Sequence, residues 1–205
     1  MFSYLIYSIG RAITLSLTLD KAYALGVILS DLYCVFAFLD RRRVTENLKI
    51  IFPQKPAPEI NEIRVKIFHN FAKYLVDFFR LNKMDMAYFK GNVHLKNEHY
   101  IKEALSKGNG AILLTAHLGN WELGGVAVSM AGYSLLIVAL PHRSKKVDEF
   151  FNVQRETGGE RVLPLGNAAK GCLRALKKNE LLGLVGDRNF AGRGLVIDFF
   201  GKPTV

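Results

Sequence analysis

The chain has 205 residues, a formal net charge of +10 and two cysteines, and half of its residues are hydrophobic. This length fits one ordinary domain with an appendage. The positive charge favours an acidic partner: a nucleic acid, an anionic lipid or an acidic carrier protein. Cys34 and Cys172 stand in apolar or helical contexts without metal-ligand spacing, which argues against a disulfide framework or a zinc site and makes a reducing compartment the default.

The first 39 residues are strongly apolar, and their only charged side chains are Arg11, Asp20, Lys21 and Asp31. The run AYALGVILSDLYCVFAFL is about long enough to cross a bilayer. Asp31 argues against a simple spanning helix, because a carboxylate at the hydrocarbon centre costs roughly 3 kcal/mol. We therefore predict that residues 1–40 form membrane-associated helices that lie in or dip into the interface. The alternative is a helical hairpin packed on the domain's own core.

Basic residues follow the apolar segment as DRRR, residues 40–43. Cations at this position can meet anionic head groups on the cytoplasmic side of a membrane. No Lys or Arg precedes the first apolar run and no small-x-small cleavage site follows it, so we do not expect a cleaved signal peptide.

Residues 41–97 are predicted to form a helical connector. After the proline-broken stretch IFPQKPAPE, an amphipathic helix is predicted from Glu59 to Asn82, and its expected role is packing. The apolar positions that recur every three or four residues are Ile63, Ile67, Phe71, Leu75 and Phe78 or Phe79. His69 within this helix is interpreted as a core or surface residue.

From residue 98 onward, short apolar runs alternate with stretches of helical length. The runs of strand length are Ala111–Ala116, Ser134–Leu140, Arg161–Leu165, Leu181–Gly186 and Leu195–Phe200. The stretches of helical length are Trp121–Ala131, Lys145–Thr157 and Asn167–Lys178. This alternation predicts an α/β domain over residues 98–205, with a mostly parallel sheet flanked by helices.

Ionisable residues follow three of these predicted strands. They are His117 after the first, His142 and Arg143 after the second, and Asp187 and Arg188 after the fourth. Ligand sites in parallel sheets lie beyond the carboxyl ends of the strands. The sequence therefore predicts that these groups meet at one edge of the sheet.

The densest of these strand ends is TAHLGNWELGG, residues 115–125. On one continuous helix His117 and Glu122 would face about 140° apart, but a turn between strand and helix lets them converge. Gly119 permits the turn and Asn120 can cap the helix, while the last two glycines allow close approach of a backbone or a substrate. The alternative is that His117 only ends a strand and Glu122 only favours the helix dipole.

A His with a carboxylate behind it is a general base, because the carboxylate holds the tautomer and stabilises the imidazolium. A protein nucleophile is missing from the pattern, since no G-x-S-x-G elbow occurs and neither cysteine is near the motif. The simplest scheme is direct attack of a substrate hydroxyl on an activated acyl group, without an acyl-enzyme.

The stretch HLGNWELGG resembles the first motif of the lysophospholipid acyltransferase superfamily, a His, four residues and an acidic residue. In its longer form it most resembles the late lipid A acyltransferases, which add lauroyl or myristoyl chains to lipid A precursors. The resemblance extends over nearly the whole chain through RRRVTENLKIIFP, HRSKKVDEFFNVQRETGG and GDRNFAGRGLVIDFFGKPT. It implies a glycerolipid acyltransferase-like α/β fold. Because members of the family are usually longer, we expect the C-terminal part of the core to be missing here.

The resemblance implies that His117 is the base and Glu122 its partner. The substrate-binding residues it implies are Asn120, Arg143, Arg155, Asp187 and Arg188. Arg143 and Arg155 are expected to bind phosphate or other acidic groups, and Asp187 to form part of the wall of the site.

Two of these assignments carry alternatives. Arg155 follows Lys145, Lys146 and Asp148 in a predicted helix, so a solvated helix face is an equal interpretation. Many lipid A enzymes have Asp-Gln where this chain has Asp187 and Arg188, a departure shared with relatives that acylate other glycolipids. Arg193 lies in a glycine-rich stretch, either as a loop residue or as a further phosphate contact.

Together these features predict a membrane-associated O-acyltransferase at the cytoplasmic face of the bacterial inner membrane. It moves a fatty acyl chain from acyl carrier protein, or from acyl-CoA, to a hydroxyl of a lipid A precursor, a glycolipid. No cofactor and no metal are expected. The alternatives are an acyltransferase for a lysophospholipid or a phosphatidylinositol mannoside, and a non-catalytic truncated membrane protein. No nucleic-acid partner is expected, because the aromatic residues cluster in apolar helices.

Overall fold

The computed structural model describes residues 2–189, 192 and 194–205; Arg193 lies outside the described residues. Two compact units divide the chain. The sheet unit comprises Met1–Leu15 and Asp77–Asp187, and the helical unit comprises Ser16–Val76 and Arg188–Val205. The predicted boundaries at residues 40 and 97 remain predictions.

The sheet unit is built on a four-stranded parallel sheet in the order β1-β4-β2-β3. Its strands are β1 (Ala111–Thr115), β2 (Leu135–Ala139), β3 (Arg161–Pro164) and β4 (Leu181–Val185). Its helices are α1 (Phe2–Ser16), α5 (Met86–Asn92), α6 (His99–Ser106), α7 (Trp121–Met130), α8 (Lys145–Thr157) and α9 (Ala168–Lys177). The predicted α/β fold with a mostly parallel sheet flanked by helices is confirmed.

Both faces of the two central strands are buried, as the continuous apolar runs predict. Neighbouring residues point to opposite faces of a strand, yet Leu181 and Leu182 are both less than 3% exposed. On one face Leu182 packs with Leu136 of β2 and Ala175 of α9. Cys172 packs against this same cluster, so its position is that of a core residue.

Helix α1 belongs largely to the sheet unit and packs there through aromatic contacts. The Tyr7 ring lies 5.3 Å from Phe151, 6.0 Å from Phe150 and 6.3 Å from Phe79, measured between centroids. Its other face is apolar and exposed, with Leu5 and Ile9 each at least half exposed.

The fifth predicted strand, Leu195–Phe200, does not join the parallel sheet. Instead β5 (Ile197–Phe199) pairs antiparallel with β6 (Lys202–Thr204) within the helical unit. The residues between them, Phe200 and Gly201, both have positive φ angles, 53° and 73°. Positive φ at both central positions is typical of a type I′ hairpin turn, which reverses the chain before a longer strand can form.

The helical unit contains α2 (Leu19–Phe36), α3 (Phe38–Ile51) and the first twenty residues of α4 (Ala57–Phe79). Asp31, the carboxylate within the apolar run, contacts His69 of α4, with 2.6 Å between Oδ1 and Nε2. Within the described ranges, no single helix has the length and hydropathy of a membrane span; α2 and α3 pass that test as a pair bent by 95°.

Helix α4 confirms the predicted helix, and its predicted packing position at Phe78 is fully buried, but two other predicted positions are not. Ile67 and Phe71 are 40% and 52% exposed, whereas Ile60 and Val76 are buried. Apolar residues lie on several sides of this helix, so their spacing alone does not identify the face that packs.

We expect Gly110→Ala to lower the free energy of unfolding by several kcal/mol. Gly110 has φ +68°, and an added Cβ would lie 2.7 Å from the Glu180 carbonyl oxygen and 2.8 Å from the Leu176 Cα. Gly108→Ala is the matched control, because Gly108 has φ +73° but open space around it; it should cost only about 1 kcal/mol of backbone strain. Equal losses for both variants in urea unfolding would show that close approach at Gly110 is unimportant.

Candidate active site

The carboxyl ends of β1 and β4 bring two of the predicted residues together. These strands are direct neighbours, and Thr115 of β1 is paired with Val185 of β4. The ladder continues one step further, because the Gly186 N–H donates to the Thr115 carbonyl at 2.8 Å. His117 and Asp187 each lie two residues beyond the last paired position, so they leave the sheet at the same level.

The His117 Nδ1 lies 2.7 Å from the Asp187 Oδ1. Burial by itself would raise the pKa of the Asp187 carboxyl, but side-chain and backbone hydrogen bonds with His117 outweigh it and hold that pKa below its ordinary value. An ionised carboxylate can only accept hydrogen bonds, so Nδ1 must donate. The neutral imidazole then has its lone pair on Nε2, the nitrogen that can take up a proton.

The turn between β1 and α7 holds the imidazole in place. The Trp121 ring stands at 74° to the His117 ring with 4.7 Å between centroids. Gly119 has φ +57°, a conformation that glycine adopts without strain. The predicted cap is confirmed: the Asn120 Oδ1 accepts from the Leu123 N–H at 3.1 Å, while its Nδ2 donates to Asp77 at 2.9 Å.

Glu122 lies on α7 but faces α8, where it forms a two-pronged ion pair with Arg155. The Arg155 Nε donates to Oε2 at 2.9 Å and its Nη2 donates to Oε1 at 2.6 Å. The two side chains are only 5% and 13% exposed, so the interpretation of Arg155 as part of a solvated face is excluded. We expected Glu122 to meet His117; in the structure the carboxylate in contact with His117 is that of Asp187.

A second carboxyl in this buried region, Glu160, was missed in the sequence. It lies between α8 and β3 and is 3% exposed. Burial and the nearby Glu122 carboxylate raise the pKa of Glu160 to about 8, although Arg155 opposes them. The available signal was weak: a single Glu between two glycines and a strand, in TGGERV.

The remaining predicted residues lie elsewhere. Arg143 is exposed in the loop between β2 and α8, at the end of the strand on the far side of β4 from β1. The backbone N–H of the neighbouring His142 donates to the Asp148 carboxylate, and the His142 ring centroid lies 4.6 Å from that of Phe151. Arg188 is exposed and belongs to the helical unit. Within the described residues, no three His, Cys, Asp or Glu side chains are grouped to hold a metal ion.

Comparison with known proteins matches residues 2–205 to the family model of the bacterial lipid A biosynthesis acyltransferases. A phosphatidylinositol mannoside acyltransferase of Mycolicibacterium smegmatis is 26% identical over 166 residues, covering 79% of this chain and 55% of that protein. A lipid A biosynthesis acyltransferase of Haemophilus influenzae is 22% identical over 162 residues, covering 78% and 51%. The chain therefore spans about half the length of the curated relatives it matches.

We expect Arg155→Ala to destabilise the protein by about 3–5 kcal/mol, because removing one partner leaves the buried Glu122 carboxylate uncompensated. Arg42→Ala is the matched control: its 2.7 Å pair with Glu46 lies on the surface, with side chains 66% and 57% exposed, so its loss should leave the stability nearly unchanged. Denaturant unfolding of both variants, and of Arg155→Ala combined with Glu122→Ala, measures the coupling. Additive losses at Glu122 and Arg155 would contradict the ion pair.

Proposed function

The chain belongs to the bacterial lipid A biosynthesis acyltransferase family, and from this premise we propose that it carries the acyl-transfer site of an O-acyltransferase. The substrates are an acyl thioester of acyl carrier protein, or of coenzyme A, and a hydroxyl group of a lipid A precursor. The observation that carries this proposal is the contact between His117 and Asp187 at the ends of two neighbouring parallel strands.

The acceptor hydroxyl attacks the thioester carbonyl carbon while the Nε2 of His117 takes up its proton. A carbon–oxygen bond forms, and the carbon–sulfur bond breaks when the tetrahedral intermediate collapses. The departing thiolate then receives the proton from Nε2, which returns the imidazole to its starting state. Asp187 stays ionised throughout and stabilises the imidazolium through the Nδ1 hydrogen bond.

This scheme is a direct transfer without an acyl-enzyme, and the surroundings of the cysteines support it. Cys172 packs against the core cluster of Leu136, Ala175 and Leu182. Cys34 lies on α2 of the helical unit, where burial raises the pKa of its thiol. A raised pKa opposes thiolate formation and thus nucleophilic reactivity.

The proposed roles of the other residues follow from their contacts. Asn120 caps α7 and so fixes the loop that carries His117. Glu122 and Arg155 hold α7 against α8. Arg143 and Arg188 are the exposed cations that we propose for phosphate groups of the substrates. The net charge of +10 suits both an acidic carrier protein and a phosphorylated lipid.

Phosphatidylinositol mannoside is the second candidate acceptor. The name of the Mycolicibacterium relative supports it, as does Arg188 after Asp187, the departure from the Asp-Gln of many lipid A enzymes. Both acceptors present a sugar hydroxyl on a phosphorylated lipid, so the same base serves either reaction.

We further propose that residues 1–40 attach the protein to the cytoplasmic face of the bacterial inner membrane. Around the bend between α2 and α3, the side chains of Val35, Phe36, Phe38 and Leu39 are 62–79% exposed. The exposed cations Arg42 and Arg43 follow within one or two turns of α3. An exposed apolar patch beside cations is typical of a surface that binds anionic membranes.

We expect His117→Ala to lower kcat for acyl transfer by at least about 100-fold, because a general base contributes this much or more. Asp187→Asn should also lower kcat, since an amide can donate to Nδ1 and stabilise the wrong tautomer. His94→Ala is the control, because His94 is exposed on the loop before α6. The assay follows labelled acyl carrier protein and acyl-CoA with lipid A precursors, phosphatidylinositol mannosides and lysophospholipids. Transfer that survives in His117→Ala, or no transfer by the unaltered chain, would contradict the proposal.

For the membrane surface, we expect Phe36→Asp to weaken binding to anionic vesicles by about 10-fold or more. The reason is that a Phe side chain transferred from water into the membrane contributes roughly 1.5–3 kcal/mol. Leu195→Asp is the control, since Leu195 is 87% exposed but lies outside the bend. Co-sedimentation with vesicles of phosphatidylglycerol and phosphatidylethanolamine measures both. Equal losses would contradict a specific role of the bend.

A further inference from the structure

The side chain of Glu160 occupies a space that exists because residue 125 is glycine. A Cβ added at Gly125 would lie only 1.9 Å from the Glu160 Oε1. Gly125 is the last glycine of the HLGNWELGG motif and lies inside α7, where alanine is ordinarily the better helix former. The glycine therefore serves as a seat for the carboxyl group.

The turn that carries Glu160 packs against the second half of the same helix. A Cβ at Gly158 would lie 2.4 Å from a Val126 methyl group, and one at Gly159 would lie 3.3 Å from the Ser129 Cβ. The TGGE turn thus follows the surface of α7 from Gly125 to Ser129. Because these contacts are tight, we expect a displacement of this turn to displace the helix that begins at Trp121.

Two charged groups face the Glu160 carboxyl, one from each helix: Glu122 of α7 and Arg155 of α8. Arg161, the next residue on β3, pairs instead with Glu180 near the surface. Arg155 already donates both prongs to Glu122 and a further N–H to Asn152. One guanidinium thus stands beside two carboxyls, and the Glu160 Oε2 is buried with no hydrogen-bond partner among the described residues.

We propose that Glu160 is a positioning residue, a buried acid that in its neutral form holds the start of α7 and the β1–α7 loop in the arrangement that presents His117. This inference rests on the proposed function, in which His117 is the general base. Loss of the proton places a second negative charge beside Glu122, and the two carboxylates then compete for Arg155. The seam between α7 and α8, which is formed by Glu122, Arg155 and Glu160, then loosens, and His117 and Trp121 shift with it.

The direction of the pH effect follows from linkage. The carboxyl has a pKa of about 8 in the folded protein against an ordinary value of 4.5. The folded state therefore holds this proton more tightly than the unfolded state. The resulting stability is fully present below about pH 4.5 and is lost as the pH rises through about 8.

The first experiment replaces the acid by its neutral isostere, Glu160→Gln, with the exposed Glu156→Gln as the matched control. Trp121 is the sole tryptophan of the chain and lies against His117, so its emission reports on the loop. In the unaltered chain and in Glu156→Gln we expect a reversible change in Trp121 emission centred near pH 8. We also expect their Tm to fall as the pH rises from about 4.5 to about 8. In Glu160→Gln the change near pH 8 should be absent and the Tm at pH 9 higher. Absence of the change in the unaltered chain, or its persistence in Glu160→Gln, overturns the proposal.

A second comparison tests the seat itself and does not depend on titration. Gly125→Ala should lower the Tm of the unaltered chain, because the new methyl group collides with the Glu160 carboxyl. In the Glu160→Ala background the same substitution should leave the Tm unchanged or raise it, because alanine favours a helix. An equal loss of Tm in both backgrounds overturns the proposal.

The acyl-transfer assay separates this inference from the proposed function. If the unaltered chain is active, we expect its kcat to fall above about pH 8 while KM stays unchanged. This fall should be absent in Glu160→Gln. Transfer that does not require His117 would refute the proposed function, while the Trp121 transition would still test the seat. Transfer that requires His117, without a Trp121 transition near pH 8, would refute this inference alone.

Discussion

At the seam between α7 and α8, two buried carboxyl groups, those of Glu122 and Glu160, share the guanidinium of Arg155. Arg155 compensates Glu122 through two hydrogen bonds, and the buried Glu160 lies beside them with no second cation paired to it in the part of the chain that the structure describes. A buried ion pair contributes stability only while every group in it is compensated. The start of α7, and with it the loop that presents His117, is therefore only as well placed as this group of three side chains permits.

Two glycines in the blocks HLGNWELGG and RETGGE, Gly125 and Gly158, are needed for close packing. In the first block Gly125 admits the carboxyl of Glu160, and in the second Gly158 admits the side chain of Val126. Each of these two glycines is needed because of a residue some thirty positions away in sequence, Glu160 for Gly125 and Val126 for Gly158. The stretches HLGNWELGG and RETGGE thus pack against each other through these glycines.

The strands, helices and strand-end residues could be predicted because alternation of apolar runs and rules for parallel sheets act locally along the chain. The partner of His117 could not be predicted, because it depends on the order of the strands in the sheet. The strand β4 is the last of the four in sequence but lies beside β1, and so brings Asp187 to His117. The contact between Glu122 and Arg155 depends likewise on how α7 packs against α8. The apolar pattern of Leu195–Phe200 predicted a strand of the parallel sheet. Positive φ angles at Phe200 and Gly201 instead close a hairpin at this point.

The position of His117 and Asp187 directly beyond paired residues of β1 and β4 determines how they can separate. Their spacing is inherited from the backbone ladder, which extends to the hydrogen bond between Gly186 and Thr115. Fraying of a surface loop leaves this ladder intact, so the spacing of the two strand ends changes only in openings that separate the strands. Amide protons in core strands exchange through the rarest openings of a protein. The backbone from which His117 and Asp187 project thus shares the slow motions of the sheet, whereas the imidazole itself also follows the loop and the start of α7.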